Sequence, residues 1–230
     1  MEYILELFLG GLTRGSIYAL IALGYTMVYG IIQLINFAHG EVYMIGAFTA
    51  LIVASILSIL GWNEVAILFI ASVVAVVYSM AYGYTLEKVA YKPLRHAPRL
   101  SALISAIGMS LFLQNYVLLA QTSDFMPFPS LIPDLAILEP IAHMITTPEV
   151  IIILTTSIVM VLRTFLIKFT RVGKAMRATA QDREMAMLVG VDVNRVISMT
   201  FIIGSATAAI GGVLIASHIG QINFYIGFIA

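Results

Sequence analysis

Five long stretches of this chain carry no charged residue, and that one feature decides what solvent it can fold in. They occupy positions 15–40, 42–63, 65–86, 100–123 and 196–230. A shorter run, 150–162, resumes beyond Arg163 as far as 167. About 20 apolar residues are needed to cross a bilayer core as a helix. Each of the first four runs is long enough for one span. The 150–167 run is marginal, with Arg163 close enough to its end to snorkel toward the headgroups. The 196–230 run is too long for a single span.

Composition agrees. Hydrophobic residues make up 61% of the chain and charged residues 10%, against roughly 45–50% and about 25% in soluble domains. Such a chain cannot cover its surface with polar groups, so its solvent is lipid. Disorder and a secreted disulfide scaffold are excluded. A net charge of zero leaves no basic footprint for nucleic acid. With no cysteine there is no thiolate metal site and no thiol nucleophile.

Lipid offers no partner for backbone N–H and C=O groups, so a spanning segment must be a helix or part of a closed barrel. Barrel strands alternate polar and apolar residues over about ten positions; these runs are continuously apolar. The fold class is therefore all-α, a polytopic transmembrane helix bundle of about six spans, to which the resemblance below adds the expectation of an incomplete C-terminal segment. Glu2 and Glu6 stand where a secretory signal would be basic. Residues 1–13 are expected at the interface or as an early start to the first helix.

Charge orients the spans. The 87–99 loop holds Lys88, Lys92, Arg95 and Arg99, and 163–195 holds seven basic residues. Between them, 121–149 holds Asp124, Asp134, Glu139 and Glu149 and no Lys or Arg. The positive-inside rule puts the two basic loops in the cytoplasm and the acidic one outside. Counting back, 61–64 is an outer turn, 36–41 lies inside and the N-terminus lies outside, with Arg14 on the wrong side.

Small residues recur every fourth position as Ala71, Ala75, Ser79 and Gly83, and again as Gly204, Ala208, Gly212 and Ala216. Gly11 and Gly15 form a further pair. Such strips let helix backbones approach closely in lipid. Helix packing is the expected role, a solute lining the other.

Polar side chains cluster at 33–41, where Asn36, His39 and Glu41 join the first two spans. Polar groups in a membrane usually face a cavity or a partner, which makes these three candidates for a solute path or gate. They also suit a tight cytoplasmic turn in which Asn36 caps a helix, Gly40 takes a positive φ and Glu41 meets a helix dipole. The charge parity, which sets the segment near the inner surface, favours the turn. Gln114 and Asn115 lie within the 100–123 run and could either bond neighbouring helices or line a pathway. His218 marks a break in the last run. No HExxH spacing is present and no cofactor is called for.

Residues 171–190 are rich in helix formers and end at a glycine. Val172, Ala175, Met176, Thr179, Ala180, Met187 and Gly190 share one face of a single helix; Lys174, Arg177, Gln181 and Glu184 share another. This element could lie on lipid, connect two spans or dock a cytoplasmic partner. Asp182, Arg183 and Glu184 mix both signs of charge, which weakens the lipid reading.

The stretch EMAMLVG at 184–190 resembles the EAA-x3-G element of ABC importer permeases, which fits a cleft in the ATPase subunit; the leucine-proline pair that often follows is absent. Four wider stretches are similar to the H-type subunit of the branched-chain amino-acid ABC permease family. They are GSIYALIALGYTMVYG at 15–30, INFAHGEVYM at 35–44, ALISAIGMS at 102–110 with FLQN at 112–115, and 173–190.

The resemblance implies one permease transmembrane domain over 1–230, with a coupling loop at 168–195. In it, Lys174, Arg177, Asp182, Arg183, Glu184 and Gly190 would couple to the ATPase. It also implies a prokaryotic inner-membrane location and several partners: a second homologous permease, two cytoplasmic ATPases, an external amino-acid-binding protein and membrane lipid. Members of that family continue past a segment like 223–230 with further helices, so the chain is expected to be truncated.

Energy has to come from elsewhere, since Gly173-Lys174 is followed by Ala175 and no phosphate-binding loop is present. The alternative is an ion-coupled secondary transporter or channel, for which the long spans offer few ionisable residues near mid-membrane. An intramembrane enzyme lacks its nucleophile, paired aspartates or zinc motif. A reporter active only outside the cytoplasm, fused after Asp134, is expected to be active; silence there would overturn the topology.

Overall fold

A computed structural model of the chain describes residues 2–95, 97–129, 131 and 146–229. Asp134 and Glu139 of the acidic loop lie outside the described residues. Six helices among the described residues are long and apolar enough to cross a membrane. They are α1 (Glu2–Ile32), α2 (His39–Ile59), α3 (Glu64–Leu86), α4 (Arg99–Ala120), α5 (Thr147–Phe169) and α8 (Val193–Ile219). Two short helices, α6 (Arg171–Gln181) and α7 (Arg183–Leu188), stand between α5 and α8.

The first helix takes in nearly all of residues 1–13. The third continues through a π turn, Glu87–Tyr91, and a 3-10 turn, Lys92–Leu94. Helical turns therefore take in the expected 87–99 loop as far as Leu94, and α4 begins at Arg99. Two local causes extend the helix. Pro93 sits in a first turn, where its missing N–H costs nothing. Glu87, fully buried, bonds Arg95 and the Ser198 hydroxyl.

At the opposite end Gly61 turns the chain at φ +73° and Asn63 caps α3 by accepting the Val65 N–H at 2.9 Å. The marginal fifth span is a full helix, opened by Glu149, which accepts the Thr146 N–H at 2.7 Å. Arg163 does not snorkel. Its side chain is buried within the bundle, and Nε and Nη1 have no hydrogen-bond partner among the described residues.

The last apolar run breaks at Gly220, not at His218. Gly220 has φ +74°, and its N–H closes α8 on the Ala216 carbonyl at 2.9 Å. The strand β1 (Met126–Pro127) then pairs antiparallel with β2 (Gln221–Ile222), Met126 facing Ile222. Beyond it the short α9 (Ile226–Ile229) packs against α2.

The bundle is organised around α8, which packs against α1, α2 and α3. Gly204, Ala208, Gly212 and Ala216 are all buried, as are Ala71, Ala75, Ser79 and Gly83 on α3. A Cβ at Gly212 would strike the Tyr43 carbonyl, and one at Gly83 the Ser205 hydroxyl. At Gly46 it would lie 2.8 Å from the Ala209 Cα. Both strips are packing surfaces. A Cβ added at Gly11 or Gly15 would meet nothing within 4 Å among the described residues, so this pair seats no neighbouring helix there.

Overpacking a filled interface costs about 1–3 kcal/mol. Gly212→Ala is expected to lower the thermal midpoint of the detergent-solubilised protein, whereas Gly11→Ala leaves it unchanged or raises it. Equal midpoints for the two variants would contradict this packing.

Candidate functional site

The segment between α1 and α2 does not turn at the surface. Gln33 ends α1 in the left-handed conformation, φ 57°, which costs a non-glycine residue some strain. The chain then climbs back into the bundle, where Asn36, His39 and Glu41 are at most 3% exposed. His39 hydrogen-bonds the backbone of Ile21, eleven residues before the end of α1, or about 16 Å along a helix axis. The surface-turn expectation fails in two of its three parts: Asn36 caps no helix and Gly40 has no positive φ. Glu41 does stand in the first turn of α2, at the positive end of its dipole, but buried rather than at a surface. Charge counting could assign this segment to one side, but it could not measure depth.

Each polar group here has a distinct setting. Asn36 Oδ1 accepts the Tyr91 hydroxyl at 2.7 Å. Glu41 Oε1 accepts the Ser110 hydroxyl at 3.0 Å, while Oε2 is buried without a partner among the described residues. The His39 ring is wedged beside Gly24 and Thr207, and its Nε2 also lacks a partner. A buried polar atom left unbonded costs roughly 1–3 kcal/mol, so two of them in one place mark a site rather than a well-sealed core.

They border a cavity of about 690 Å³, within the roughly 300–1,000 Å³ range of small-molecule sites. Tyr18, Ile21 and Tyr25 of α1 form one wall; Ile107, Ser110 and Leu111 of α4 form another. Gly227 and Phe228 of the returning segment close an end. The backbones of Gly40 and Gly227 touch there, so a Cβ on either would collide with the other residue's carbonyl. Gln114 is buried four residues beyond Ser110 with Nε2 unpaired, outside the cavity lining. Asn115 lies elsewhere, exposed on the outer face of α4, its side-chain N–H₂ turned back onto the Leu111 carbonyl at 2.7 Å.

A second constellation forms at the end of the bundle that carries the basic residues. Residues 171–190 are two helices, not one. Asp182 is extended, and its side chain accepts the Glu184 and Met185 N–H groups at 2.9 and 3.0 Å, starting α7 afresh. The break rotates the second half. Met176 and Thr179 face inward, but Met187 and Gly190 are exposed rather than on a buried face. Gly190 ends α7 at φ +85°, a conformation that favours glycine.

The charged residues divide by direction. Lys174 and Glu184 are exposed. Arg177 donates to the Ile167 carbonyl at the end of α5. Arg183 donates to the Ile31 and Ile32 carbonyls at the end of α1. Each guanidinium therefore satisfies carbonyls that a helix C-terminus leaves open, at the negative end of its dipole. Burial, and secondarily the charge of Arg95, lowers the Arg183 pKa.

Several participants escape a reading by charge and polarity alone. Met185, Leu188 and Val189 are exposed apolar side chains outside the spans, at 60%, 80% and 76%. Tyr91, Gly227 and the Glu87–Arg95–Ser198 cluster depend on contacts between distant parts of the chain.

No solved structure matches the chain. The family model described as "Branched-chain amino acid transport system / permease component" matches residues 7–230. The chain is 48% identical to the high-affinity branched-chain amino acid transport system permease protein LivH of Salmonella typhimurium, and equally so to LivH of Escherichia coli K12. Each match covers 99% of this chain and 75% of the relative. It is 46% identical to the corresponding permease protein BraD of Pseudomonas aeruginosa, over 98% of this chain and 75% of that protein. A subunit of this kind is not itself an enzyme and works within a larger transporter. With a family model spanning all but six residues and near-half identity across the chain, this multi-pass protein of the prokaryotic inner membrane belongs to the branched-chain amino acid transport permease family.

Proposed function

We propose that the chain is the membrane-spanning subunit of an ATP-driven importer of branched-chain amino acids. It acts as a single transmembrane domain, with 168–195 as its coupling element. Its partners are a second homologous permease, two cytoplasmic ATPases and an external binding protein that delivers the substrate. The substrate class rests on the relatives' names; the mechanism rests on the two constellations above.

One observation carries the coupling role. The α6–α7 element is tied to the ends of α5 and α1 by Arg177 and Arg183, while its far side presents Glu184 with Met185, Leu188 and Val189. An exposed apolar patch with a charged rim is the anatomy of a protein interface. ATP-driven closure of the ATPases pushes α7. Arg183 passes that displacement to Ile32, and the 33–38 segment passes it to the wall of the cavity. Lys174 and Asp182 complete the element, one as an exposed cation and the other as the cap that fixes the α7 start.

The path itself runs past Asn36, His39 and Glu41, with Gln114 a turn beyond Ser110. Ala22, Phe37, Ile107, Leu111 and Phe228 leave the cavity's rim exposed between α1 and α4. The second permease closes that side, and Asn115 joins the path only across that interface.

Replacing Glu184 and Gly190 together is expected to abolish uptake and ATPase association while membrane insertion persists. A non-glycine residue at φ +85° costs about 1–2 kcal/mol, and the lost carboxylate removes a rim contact. Normal association in co-purification would count against docking through α7.

Arg183→Ala separates transmission from docking. Association is retained, while leucine uptake falls and ATP hydrolysis no longer responds to the binding protein. Uptake that a proton-gradient uncoupler stops while ATP stays high would instead favour an ion-coupled carrier.

A further inference from the structure

We infer that the cavity between α1, α2 and α4 holds a head-group site for a zwitterionic α-amino acid. In it Glu41 Oε2 receives the substrate ammonium, and the α2 N-terminus receives its carboxylate. The inference rests on the importer reading for its substrate class, and on its own observations for the site.

Glu41 is 1% exposed; Ser110 satisfies Oε1 and, among the described residues, nothing satisfies Oε2. That second oxygen lies against Gly227, where a Cβ would stand 2.7 Å away. A glycine at 227 therefore lets the backbone close directly over the oxygen, on the edge of a cavity that Glu41 itself lines, and an entering ammonium reaches it by displacing Gly227. Ser110 fixes the carboxyl's orientation without occupying it. Such a group suits a compact ammonium, which offers three donors and no acceptor.

The carboxylate half of the ligand has its own partner. No side chain caps α2, whose N-cap is Ala38. Among the described residues, the Gly40 and Glu41 N–H groups have no acceptor. A 21-residue helix thus directs free amides and the positive end of its dipole at the cavity. Water ordinarily satisfies such amides at a protein surface; here they open inside a membrane bundle. Ligand donors and acceptors that match both features at once belong to one small molecule carrying adjacent opposite charges. The remaining wall, with Ile21, Ile107, Leu111 and Phe228, is apolar and suits a branched alkyl chain. A free carboxylic acid would meet Glu41 with like charge, and a free amine would leave the amides unpaired. The site so built discriminates against both.

The test uses the assembled transporter in membrane vesicles. This chain contains no cysteine, so Phe228→Cys supplies a single thiol in it at the cavity mouth for a methanethiosulfonate reagent. With Glu41 intact, L-leucine is expected to slow labelling. 4-Methylpentanoate, which lacks the ammonium, and 3-methylbutylamine, which lacks the carboxylate, are expected not to. In Glu41→Gln, protection should require about ten- to a hundredfold more leucine, the cost of losing one charge-assisted hydrogen bond. Glu41→Asp should recover part of it.

Equal protection by 4-methylpentanoate, no protection by leucine, or an unchanged leucine requirement in an assembled Glu41→Gln transporter each overturns the site. The analogue comparison decides the matter even where Glu41→Gln fails to assemble. ATP-driven uptake without leucine protection removes the site and leaves the importer standing; protection without ATP-driven uptake does the reverse.

Discussion

Close backbone approach around α8 is the constraint on which the rest depends. In lipid, helices gain nothing by hiding apolar surface from one another, so they associate where small residues let backbones meet. Gly212 against Tyr43, Gly83 against Ser205 and Gly46 against Ala209 fix α2 and α3 on α8 at contact distances that no larger residue permits. That rigid three-helix unit gives α2 its unusual start. The helix begins beside Gly24 and Thr207, well inside the bundle, because a glycine on α1 leaves room for the His39 ring. A buried α2 N-terminus then makes the cavity.

The polar groups follow from this frame. Within hydrocarbon, a polar atom has to find a partner in the protein or border a space where something else supplies one. Glu87 takes the first course, held by Arg95 and Ser198, and it locks the inner end of α3 to α8. Glu41 takes it by halves, with one oxygen on Ser110 and the other unbonded at the cavity edge. The contrast between two buried glutamates in one bundle is between an acid whose oxygens are both bonded and one that keeps an oxygen unbonded, the feature on which the proposed head-group site rests.

Much of the architecture was legible because membrane folding is dominated by a one-dimensional signal. Uncharged runs located the spans, and four-residue spacing located Gly204 to Ala216 as a packing face. Depth was not legible. A run of apolar residues says how long a helix can be, but not that 33–38 re-enters the bundle; that requires Gln33 at a positive φ and Gly24 opposite His39, two residues far apart in sequence. Direction was not legible either. Lys174, Arg177 and Glu184 share a helical face on paper, yet Arg177 and Arg183 curl back onto helix ends once Asp182 breaks the helix. The exposed Met185, Leu188 and Val189 were hidden for the same reason, since a continuous wheel drawn through 171–190 puts their neighbour Met187 on a buried side that does not exist.

On the proposed coupling role, the arginines offer a push at one end a route to a cavity about 16 Å away along α1. Had Arg183 pointed outward with Glu184, α7 would be joined to the spans only by its own chain, and a displaced α7 could pivot without moving anything. Instead its guanidinium bridges two carbonyls at the end of α1, immediately before the strained Gln33. Both bonds leave one nitrogen, Nη2, and two charge-assisted bonds resist a pull better than a single neutral bond does. The next residues in the chain are those that carry Asn36, His39 and Glu41. Under the proposed coupling role, lever, strained hinge and cavity wall are consecutive along one stretch of backbone, and that role needs no long relay of side chains through the bundle.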